Sequence, residues 1–233
     1  MAAPSPSSQV DNFPRPDAWH RRFWWRSLHV FFWTWFKLCY RYRHYGVANI
    51  PPTGPVIFLC SHQSFCDPVI VGLAVWRRSF YAMARATLFT TPGLGWFIRS
   101  INAFPINRGQ TDMAAMRHCL DILRRGYGLL VFPEGTRTHD GSVQSFAPGT
   151  LLLIRRSKAL VIPVAIEGAY QVWPRQRKRP RLFGRIGVAF GPPISADTIT
   201  GMPPEEALRM LQQKVEALRQ ETRRNLDGRP DMA

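Results

Sequence analysis

The sequence has few cysteines, few acidic residues and no long apolar run. Its 233 residues include four cysteines, and no two of them form a CxxC pair. That pattern excludes a disulfide framework or a zinc ribbon and favours a reducing compartment. The longest largely apolar run covers residues 30–36, whereas a membrane-spanning helix needs about 20 apolar residues. We therefore expect no spanning segment.

Acidic residues are scarce relative to basic ones. The chain has 15 Asp and Glu against 31 Lys and Arg, which gives a formal net charge of +16. An excess of this size predicts attraction to polyanions such as nucleic acid, an anionic membrane surface or phosphorylated substrates. Apolar residues make up 45% of the chain, which is enough for a full core and excludes wholesale disorder.

The N-terminal part divides into two segments. Residues 1–17 are rich in Pro and Ser, which predicts a disordered tail. Residues 18–45 mix basic side chains with bulky rings, as is typical of the water–lipid boundary, so we predict a membrane-interface helical segment. A helix packed on the domain core is the alternative. The Arg21-Arg22 pair is not read as a twin-arginine leader, because no small-residue cleavage site follows it.

The rest of the chain alternates short apolar strands with helices. This order predicts an α/β domain over residues 46–226, with a mixed, largely parallel sheet flanked by helices, and a short tail over 227–233. The predicted strands are Val56–Cys60, Phe80–Met83, Ala103–Ile106, Leu129–Phe132, Val161–Ile166 and Ile186–Phe190. The predicted helices are Pro68–Trp76, Thr111–Arg125, Gly149–Arg156 and Pro204–Asn225.

A histidine and a carboxylate lie five residues apart in the loop after the first apolar strand. Asp67-Pro68 is typical of a helix start, with the Asp as N-cap. On a bend, His62 and Asp67 can also face each other, and a carboxylate on one imidazole nitrogen leaves the other free to take a proton. Two alternatives use the same loop. Cys66 could be a nucleophile activated by His62, or Cys60, His62, Cys66 and Asp67 could bind zinc, although their spacing matches no common zinc pattern.

Basic residues follow two further strands. Arg137 ends the stretch Val131–Arg137, and Arg108 comes two residues after the strand Ala103–Ile106. Ligand sites form at the carboxyl ends of parallel strands, and the planar guanidinium suits phosphate oxygens. The alternative for each Arg alone is a solvated surface charge. The sequence has no G-x-S-x-G motif, so a covalent acyl-serine intermediate is not indicated.

Together these stretches resemble a known family. Four motifs occur in the order and rough spacing found in the glycerolipid acyltransferases, which include the 1-acylglycerol-3-phosphate acyltransferases, and the resemblance covers about residues 45–195. Enzymes of this family transfer a fatty acyl group from acyl-CoA or acyl carrier protein to the free hydroxyl of a lysoglycerolipid. For this chain the resemblance implies 1-acylglycerol-3-phosphate as acceptor and phosphatidate as product, in phospholipid biosynthesis. The motifs are His62 to Asp67, Phe104 to Arg108, Phe132 to Arg137, and Val161 to Val164.

The resemblance also implies residue roles and requires no cofactor or metal. His62 would be the general base and Asp67 its partner. The acceptor phosphate would be bound by Arg108 and Arg137, with Glu134, Gly135 and Thr136 shaping the same pocket and Arg85 supplying a further positive charge. Pro163 would belong to a buried strand on the acyl-donor side. The chain departs from the common family pattern at four positions, Ser61 for Asn, Arg85 for Lys, Thr87 for Glu and Ala147 for Lys.

The expected partners follow from this chemistry. They are a lysophospholipid in the membrane, acyl-CoA or acyl carrier protein, and an anionic membrane surface. The expected location is the cytoplasmic face of a membrane, in monotopic or peripheral association. The basic stretch over residues 175–185 is open to three interpretations, a solvated loop, a membrane contact, or a site for the phosphates of CoA or an acidic carrier.

Three other functions are compatible with parts of the sequence. The acceptor could be another lysolipid, or the same His/Asp pair could hydrolyse a thioester or a lysolipid. Nucleic-acid binding is suggested by the net charge. However, the sequence has no helix-turn-helix, zinc-finger or RRM signature, so no nucleic-acid partner is expected.

Overall fold

The computed structural model of the chain describes residues 19–106 and 113–228. The predicted tail over residues 1–17, most of the C-terminal tail and Arg108 lie outside the described residues.

In the described residues, seven strands and eight α-helices alternate along most of the chain. The strands are β1 Arg43–Tyr45, β2 Val56–Cys60, β3 Phe80–Arg85, β4 Ala103–Ile106, β5 Gly128–Val131, β6 Leu160–Glu167 and β7 Gly187–Phe190. The helices are α1 Trp19–Tyr40, α2 Asp67–Ala74, α3 Leu94–Ser100, α4 Met113–Arg124, α5 Gly149–Ser157, α6 Ala169–Val172, α7 Ala196–Thr200 and α8 Pro204–Asp227. Short 3-10 turns lie at Val47–Asn49 and Ala86–Leu88.

The strands form one mixed sheet in the order β1-β7-β6-β2-β5-β3-β4. The five strands from β6 to β4 run parallel to one another, whereas β7 is antiparallel to β6 and parallel to β1. The predicted fold class, a largely parallel sheet flanked by helices, is therefore confirmed. Because β2, β3, β4 and β5 are parallel, their carboxyl ends meet at the same edge of the sheet.

The central strands are apolar along their whole length because helices cover both faces of the sheet. All five residues of β2 are fully buried. On one face the core contains Phe58 and Phe190 together with rings from α1. On the other face it is built from α4, α5 and α8, with Leu123, Ile154 and Leu211 among its buried side chains.

The N-terminal helix is joined to this core at its C-terminal end. Phe36 and Tyr40 are buried, and Tyr42 just beyond the helix is fully buried and donates a hydrogen bond to the carbonyl of Ile70 at 2.9 Å. The following residues, Arg43–Tyr45, pair with β7 as an edge strand. The division into a segment 18–45 and a domain 46–226 stays a prediction, but the last third of that segment shares the domain core.

The long C-terminal helix is held to the sheet by charge as well as by apolar packing. Arg219 of α8 donates to Glu167 at the end of β6, with 2.7 Å between Nη1 and Oε2. The same guanidinium binds Glu216 one turn earlier on α8 at 2.8 Å. Both Arg219 and Glu167 are largely buried, so removing Arg219 would leave the buried charge of Glu167 without its ion-pair partner.

Candidate active site

The loop between β2 and α2 brings His62 and Asp67 together. His62 Nδ1 lies 2.8 Å from Asp67 Oδ2, and the Asp67 side chain is fully buried while that of His62 is 14% exposed. The same carboxylate oxygen accepts from the backbone N–H groups of Gln63 at 2.7 Å and Ser64 at 2.8 Å. The carboxylate is thereby fixed against Nδ1, and Nε2 is the nitrogen left to take a proton.

The expectation that Asp67 caps α2 is corrected by this geometry. The residue at the N-cap position is Cys66, and Asp67 is the first residue of the helix, with Pro68 next to it. Its carboxylate bonds backwards to the loop rather than forwards to the helix N–H groups that a cap satisfies. The Asp67 carboxylate therefore stabilises the bend of the loop and orients His62, whereas Pro68 favours the start of the helix.

The second loop, after β5, is fastened to the first. The backbone N–H of His62 donates to Glu134 Oε1 at 2.9 Å, and the N–H of Thr138 donates to the carbonyl of His62 at 2.8 Å. The imidazole stacks on the ring of Phe132, with 3.9 Å between centroids and 19° between planes. The ring of His62 is thus held by stacking on one side and by Asp67 at Nδ1.

Glu134 is a buried carboxyl beside this pair. Burial raises its pKa to about 7, and the charges of Asp67 and Asp140 add to the rise, whereas the N–H groups of His62 and Gln144 lower the pKa by less. Gly135 follows with a φ of 67°, a left-handed backbone conformation that residues with a side chain rarely adopt. Its N–H donates to the carbonyl of Phe132 at 3.1 Å and closes a tight turn. The turn carries Thr136, half-buried, to the same edge.

Arg137 lies over an aromatic ring of the first loop. Its guanidinium carbon is 3.5 Å from the ring centroid of Phe65, and Phe65 in turn contacts Trp173, with 5.4 Å between ring centroids. Stacking of this kind orients the planar guanidinium, whose fork of N–H donors suits phosphate oxygens. The predicted grouping of His62, Asp67, Glu134, Gly135, Thr136 and Arg137 is therefore present at one edge of the sheet.

The other predicted basic residues are less closely placed. Arg85 is the last residue of β3, at the same edge, and its side chain is exposed. In the sheet order, β5 lies between β3 and β2. Arg108 lies outside the described residues, although β4, which precedes it, ends at the same edge. Pro163 is buried in β6 and aligned with Leu59 of β2.

The two alternatives for the His62 loop find no support in its geometry. Burial raises the pKa of the Cys66 thiol to about 11, so the thiol is protonated at neutral pH, and its Sγ lies 3.3 Å from Ser64 Oγ. A reactive cysteine needs the opposite shift. Within residues 19–106 and 113–228, no three His, Cys, Asp or Glu side chains come close enough to hold a metal ion.

Several residues that support the site were not predicted. Gln63 is buried and bridges two segments, donating to the carbonyl of Gly141 at 3.1 Å and accepting from the N–H of Tyr170 at 3.2 Å. Ser61 is also buried, and its Oγ accepts from the N–H of Ile166 at 3.2 Å. The signal for both was present, because polar residues directly after an apolar strand must find partners if they are buried.

Comparisons with known proteins identify a family and several relatives of this chain. The model of the family described as Acyltransferase matches residues 41–167. A 1-acyl-sn-glycerol-3-phosphate acyltransferase of Pseudomonas aeruginosa is 30% identical over 187 residues, which cover 78% of this chain and 68% of that protein. The enzyme of the same name from Bacillus subtilis is 24% identical over 78% of this chain and 88% of its own.

Similarity also extends to a plant protein and to a solved structure. A chloroplastic 1-acyl-sn-glycerol-3-phosphate acyltransferase of Arabidopsis thaliana is 27% identical over 64% of this chain, which spans only 42% of that protein. The chain thus spans less than half of the chloroplastic relatives it matches. The crystal structure of the 1-acyl-sn-glycerophosphate acyltransferase PlsC of Thermotoga maritima superposes with a TM-score of 0.73 and 25% identity, covering 97% of this chain and 89% of that one.

Proposed function

Because this chain belongs to the Acyltransferase family, whose model matches more than half of it, we propose that it transfers a fatty acyl group to the hydroxyl of a lysoglycerolipid. The observation that carries the proposal is the His62–Asp67 pair, fixed at the carboxyl edge of the sheet and fastened to the loop that bears Glu134 and Arg137. The acyl donor is acyl-CoA or acyl carrier protein.

The proposed reaction is a direct attack. Asp67 accepts a hydrogen bond from the Nδ1–H of His62. Nε2 of His62 takes the proton of the acceptor hydroxyl while the hydroxyl oxygen bonds to the thioester carbonyl carbon. The tetrahedral intermediate then breaks its C–S bond, and the imidazolium returns the proton to the leaving thiolate. The products are an ester and a free thiol, and no covalent intermediate forms on the protein. The raised pKa of Cys66 is consistent with this route.

We propose 1-acylglycerol-3-phosphate as the acceptor, with phosphatidate as product. Arg137 supports this choice because its oriented guanidinium can bind two phosphate oxygens at once. The bacterial relatives described above are named for the same acceptor. Arg85, Thr136 and Arg108 remain proposed contributors to the same phosphate site.

We also propose that α1 docks the enzyme on the anionic cytoplasmic face of a membrane. One side of α1 leaves large apolar side chains in solvent, and Arg26 and Lys37 lie at its margin, also exposed. Such a helix would keep the site at headgroup depth, so that the acceptor's chain stays in the bilayer. The apolar side chains are Phe23, Val30, Phe31 and Leu38, each at least 60% exposed.

A separate finding concerns the length of the helices. None of those in the part of the chain that the structure describes combines the length and apolarity needed to cross a bilayer.

The proposed activity is tested with purified protein, an acyl thioester and a panel of lysolipids, read by mass spectrometry. We expect acylated product only when a lysolipid is present, and most of it from 1-acylglycerol-3-phosphate. His62→Ala should lower turnover by about 100- to 10,000-fold, and Asp67→Asn by less, since general-base catalysis contributes on that scale. Asp121→Asn, at a half-buried position on α4, is the matched control and should retain wild-type turnover.

Two results would contradict the proposal. Release of the free acid at the same rate with and without lysolipid would make the protein a hydrolase. Half of wild-type turnover in His62→Ala, in a variant with an unchanged thermal melting curve, would remove His62 from the role of general base.

A further inference from the structure

We propose that residues 174–185, hereafter the basic loop, form a second membrane contact that works together with α1. The proposal rests on the proposed membrane docking and adds a partner surface to it. The occupant is an anionic bilayer rather than a protein or a soluble nucleotide.

The basic loop has the composition of a membrane-contacting segment. Leu182 and Phe183 are adjacent and are 67% and 73% exposed. No acidic residue occurs between positions 168 and 196, so nothing in the loop's own sequence neutralises its charge. Exposed apolar side chains next to cations are the combination that inserts at the headgroup level of an anionic leaflet. The exposed cations are Arg175, Arg177, Lys178, Arg179, Arg181 and Arg185.

The basic loop is fixed to the C-terminal end of α1. The N–H of Gly184 donates to the carbonyl of Cys39 at 3.1 Å, and the Tyr40 hydroxyl donates to the carbonyl of Arg181 at 3.0 Å. These bonds flank Leu182 and Phe183 on both sides. They place the exposed pair near the end of α1 that carries Leu38, which is 74% exposed.

The same loop is fixed to the candidate active site. Ser64, two residues after His62, donates from Oγ to the carbonyl of Trp173, the residue directly before the basic loop, at 2.9 Å. Further along, Arg175 Nη1 lies 3.0 Å from His139 Nε2, two residues after Arg137. The basic loop therefore connects α1 to both loops of the site.

This connection has a geometric consequence. A single amphipathic helix lying on a bilayer can roll about its own axis, which would swing the site toward or away from the lipid. A second contact displaced from the helix axis removes that freedom. With α1 and the basic loop both on the membrane surface, the part of the site that carries Phe65 and Arg137 keeps one orientation toward the headgroups.

An acyl carrier protein or the phosphates of CoA would also be attracted by these cations. Charge alone does not separate the partners, but the exposure of Leu182 and Phe183 does favour a bilayer. Two large apolar side chains held in water near the C-terminal end of α1 match a hydrocarbon boundary, whereas phosphates would contact the cations only. The experiment below makes donor binding one of its outcomes.

The test compares four variants of the full chain with the wild type by cosedimentation with vesicles of equal parts phosphatidylcholine and phosphatidylglycerol. The tip variant Leu182→Asp/Phe183→Asp should bind about tenfold more weakly, because it loses apolar insertion and adds repulsion. The conservative variant Leu182→Phe/Phe183→Trp should bind as the wild type does. Because both positions are exposed, the melting temperature should be unchanged in each variant.

A charge pair provides the matched control. Arg179→Gln/Arg181→Gln should weaken vesicle binding several-fold, whereas Arg155→Gln/Arg156→Gln removes the same charge from α5 and should change it by less than twofold. Equal losses in the two variants would show that only net charge matters, and that would overturn the proposal.

Activity separates the outcomes further. For the tip variant we expect a raised KM for vesicle-borne lysolipid and an unchanged rate with a short-chain, monomeric lysolipid in solution. Vesicle binding within twofold of wild type would overturn the proposal, and so would a raised KM for the acyl donor with unchanged vesicle binding, which would assign the loop to the donor. If no acyl transfer occurs even with soluble substrates, the proposed function fails, while the vesicle measurement still decides the role of the loop.

Discussion

At the scale of single residues, Glu134 is expected to make the stability of the protein depend on pH. Its pKa rises from 4.5 to about 7 in the folded protein, chiefly because the carboxyl is buried. Between these two pH values the folded protein keeps a proton that the unfolded chain has lost. The free energy of unfolding contributed by this group is therefore fully present below about pH 4.5, falls as pH rises, and levels off above about pH 7.

Glu134→Gln should remove this pH dependence. A shift of this size corresponds to about 3 kcal/mol at most, since each pKa unit is worth about 1.4 kcal/mol. Urea denaturation at about pH 5 and about pH 8 should show that the wild type loses more stability with rising pH than the variant does. Parallel pH dependence in the two proteins would show that the carboxyl does not titrate with a raised pKa.

Arg137 is the residue whose shape matters as much as its charge. Its guanidinium is oriented by the ring of Phe65, and lysine cannot reproduce either that stacking or a bidentate contact. We expect Arg137→Lys to raise the KM for 1-acylglycerol-3-phosphate about tenfold, equivalent to about 1.4 kcal/mol, with a smaller change in kcat. Steady-state kinetics with an uncharged monoacylglycerol as comparison acceptor checks this.

The monoacylglycerol shows whether the effect depends on the phosphate. Its KM should be nearly the same in the wild type and in Arg137→Lys, because this acceptor has no phosphate. A KM for the phosphorylated acceptor that does not move would place the phosphate site elsewhere, with Arg85 and Arg108 as the next positions to change.

At the scale of elements, α1 has two sides with different roles. Phe36 and Tyr40 are buried in the core, and the adjoining β1 completes the sheet. Deleting residues 1–45 would therefore unfold the domain rather than detach it from a membrane. The membrane role of α1 has to be tested by substitutions on its exposed side.

Phe31→Asp is the sharpest such substitution. Phe31 is 60% exposed, so the fold should tolerate the change, while binding to anionic vesicles should fall about tenfold or more through the loss of one inserted ring. The control is Gln213→Asp, which adds the same charge at an exposed position of α8. Cosedimentation should show weaker binding for Phe31→Asp alone, and equal behaviour of the two variants would argue against insertion of α1.

At the scale of the whole molecule, the net charge of +16 and the exposed apolar side chains predict two separable contributions to membrane binding. Raising NaCl from about 0.1 M to about 1 M shortens the screening length from about 10 Å to about 3 Å. Binding to anionic vesicles should weaken but persist, because apolar insertion does not depend on salt. Cosedimentation should show the residual affinity to match that for uncharged phosphatidylcholine vesicles in low salt. Complete loss of binding in high salt would mean that charge alone holds the protein on the surface.

Much of the fold and site could be predicted from local patterns. All six predicted strands are present, with ends that differ by at most two residues, because a buried parallel strand is a short apolar run between turns. The positions of His62 and Glu134 follow from the same pattern, since each comes directly after such a run. Residue type and spacing were enough to place these side chains at one edge of the sheet.

Other features depended on contacts between distant parts of the chain. The edge strand β1 has the sequence Arg-His-Tyr and no apolar pattern, and it is a strand only because β7 lies beside it. The bond from the His62 N–H to Glu134 joins residues 72 positions apart, and the attachment of the basic loop to Tyr40 spans 141. Local sequence determined which segments are strands and which residues end them, because backbone preference and apolar periodicity act over a few residues. Only the tertiary structure decided which loops touch and which side of α1 remains exposed, because these features depend on the order of the strands and on how the helices pack on the two faces of the sheet.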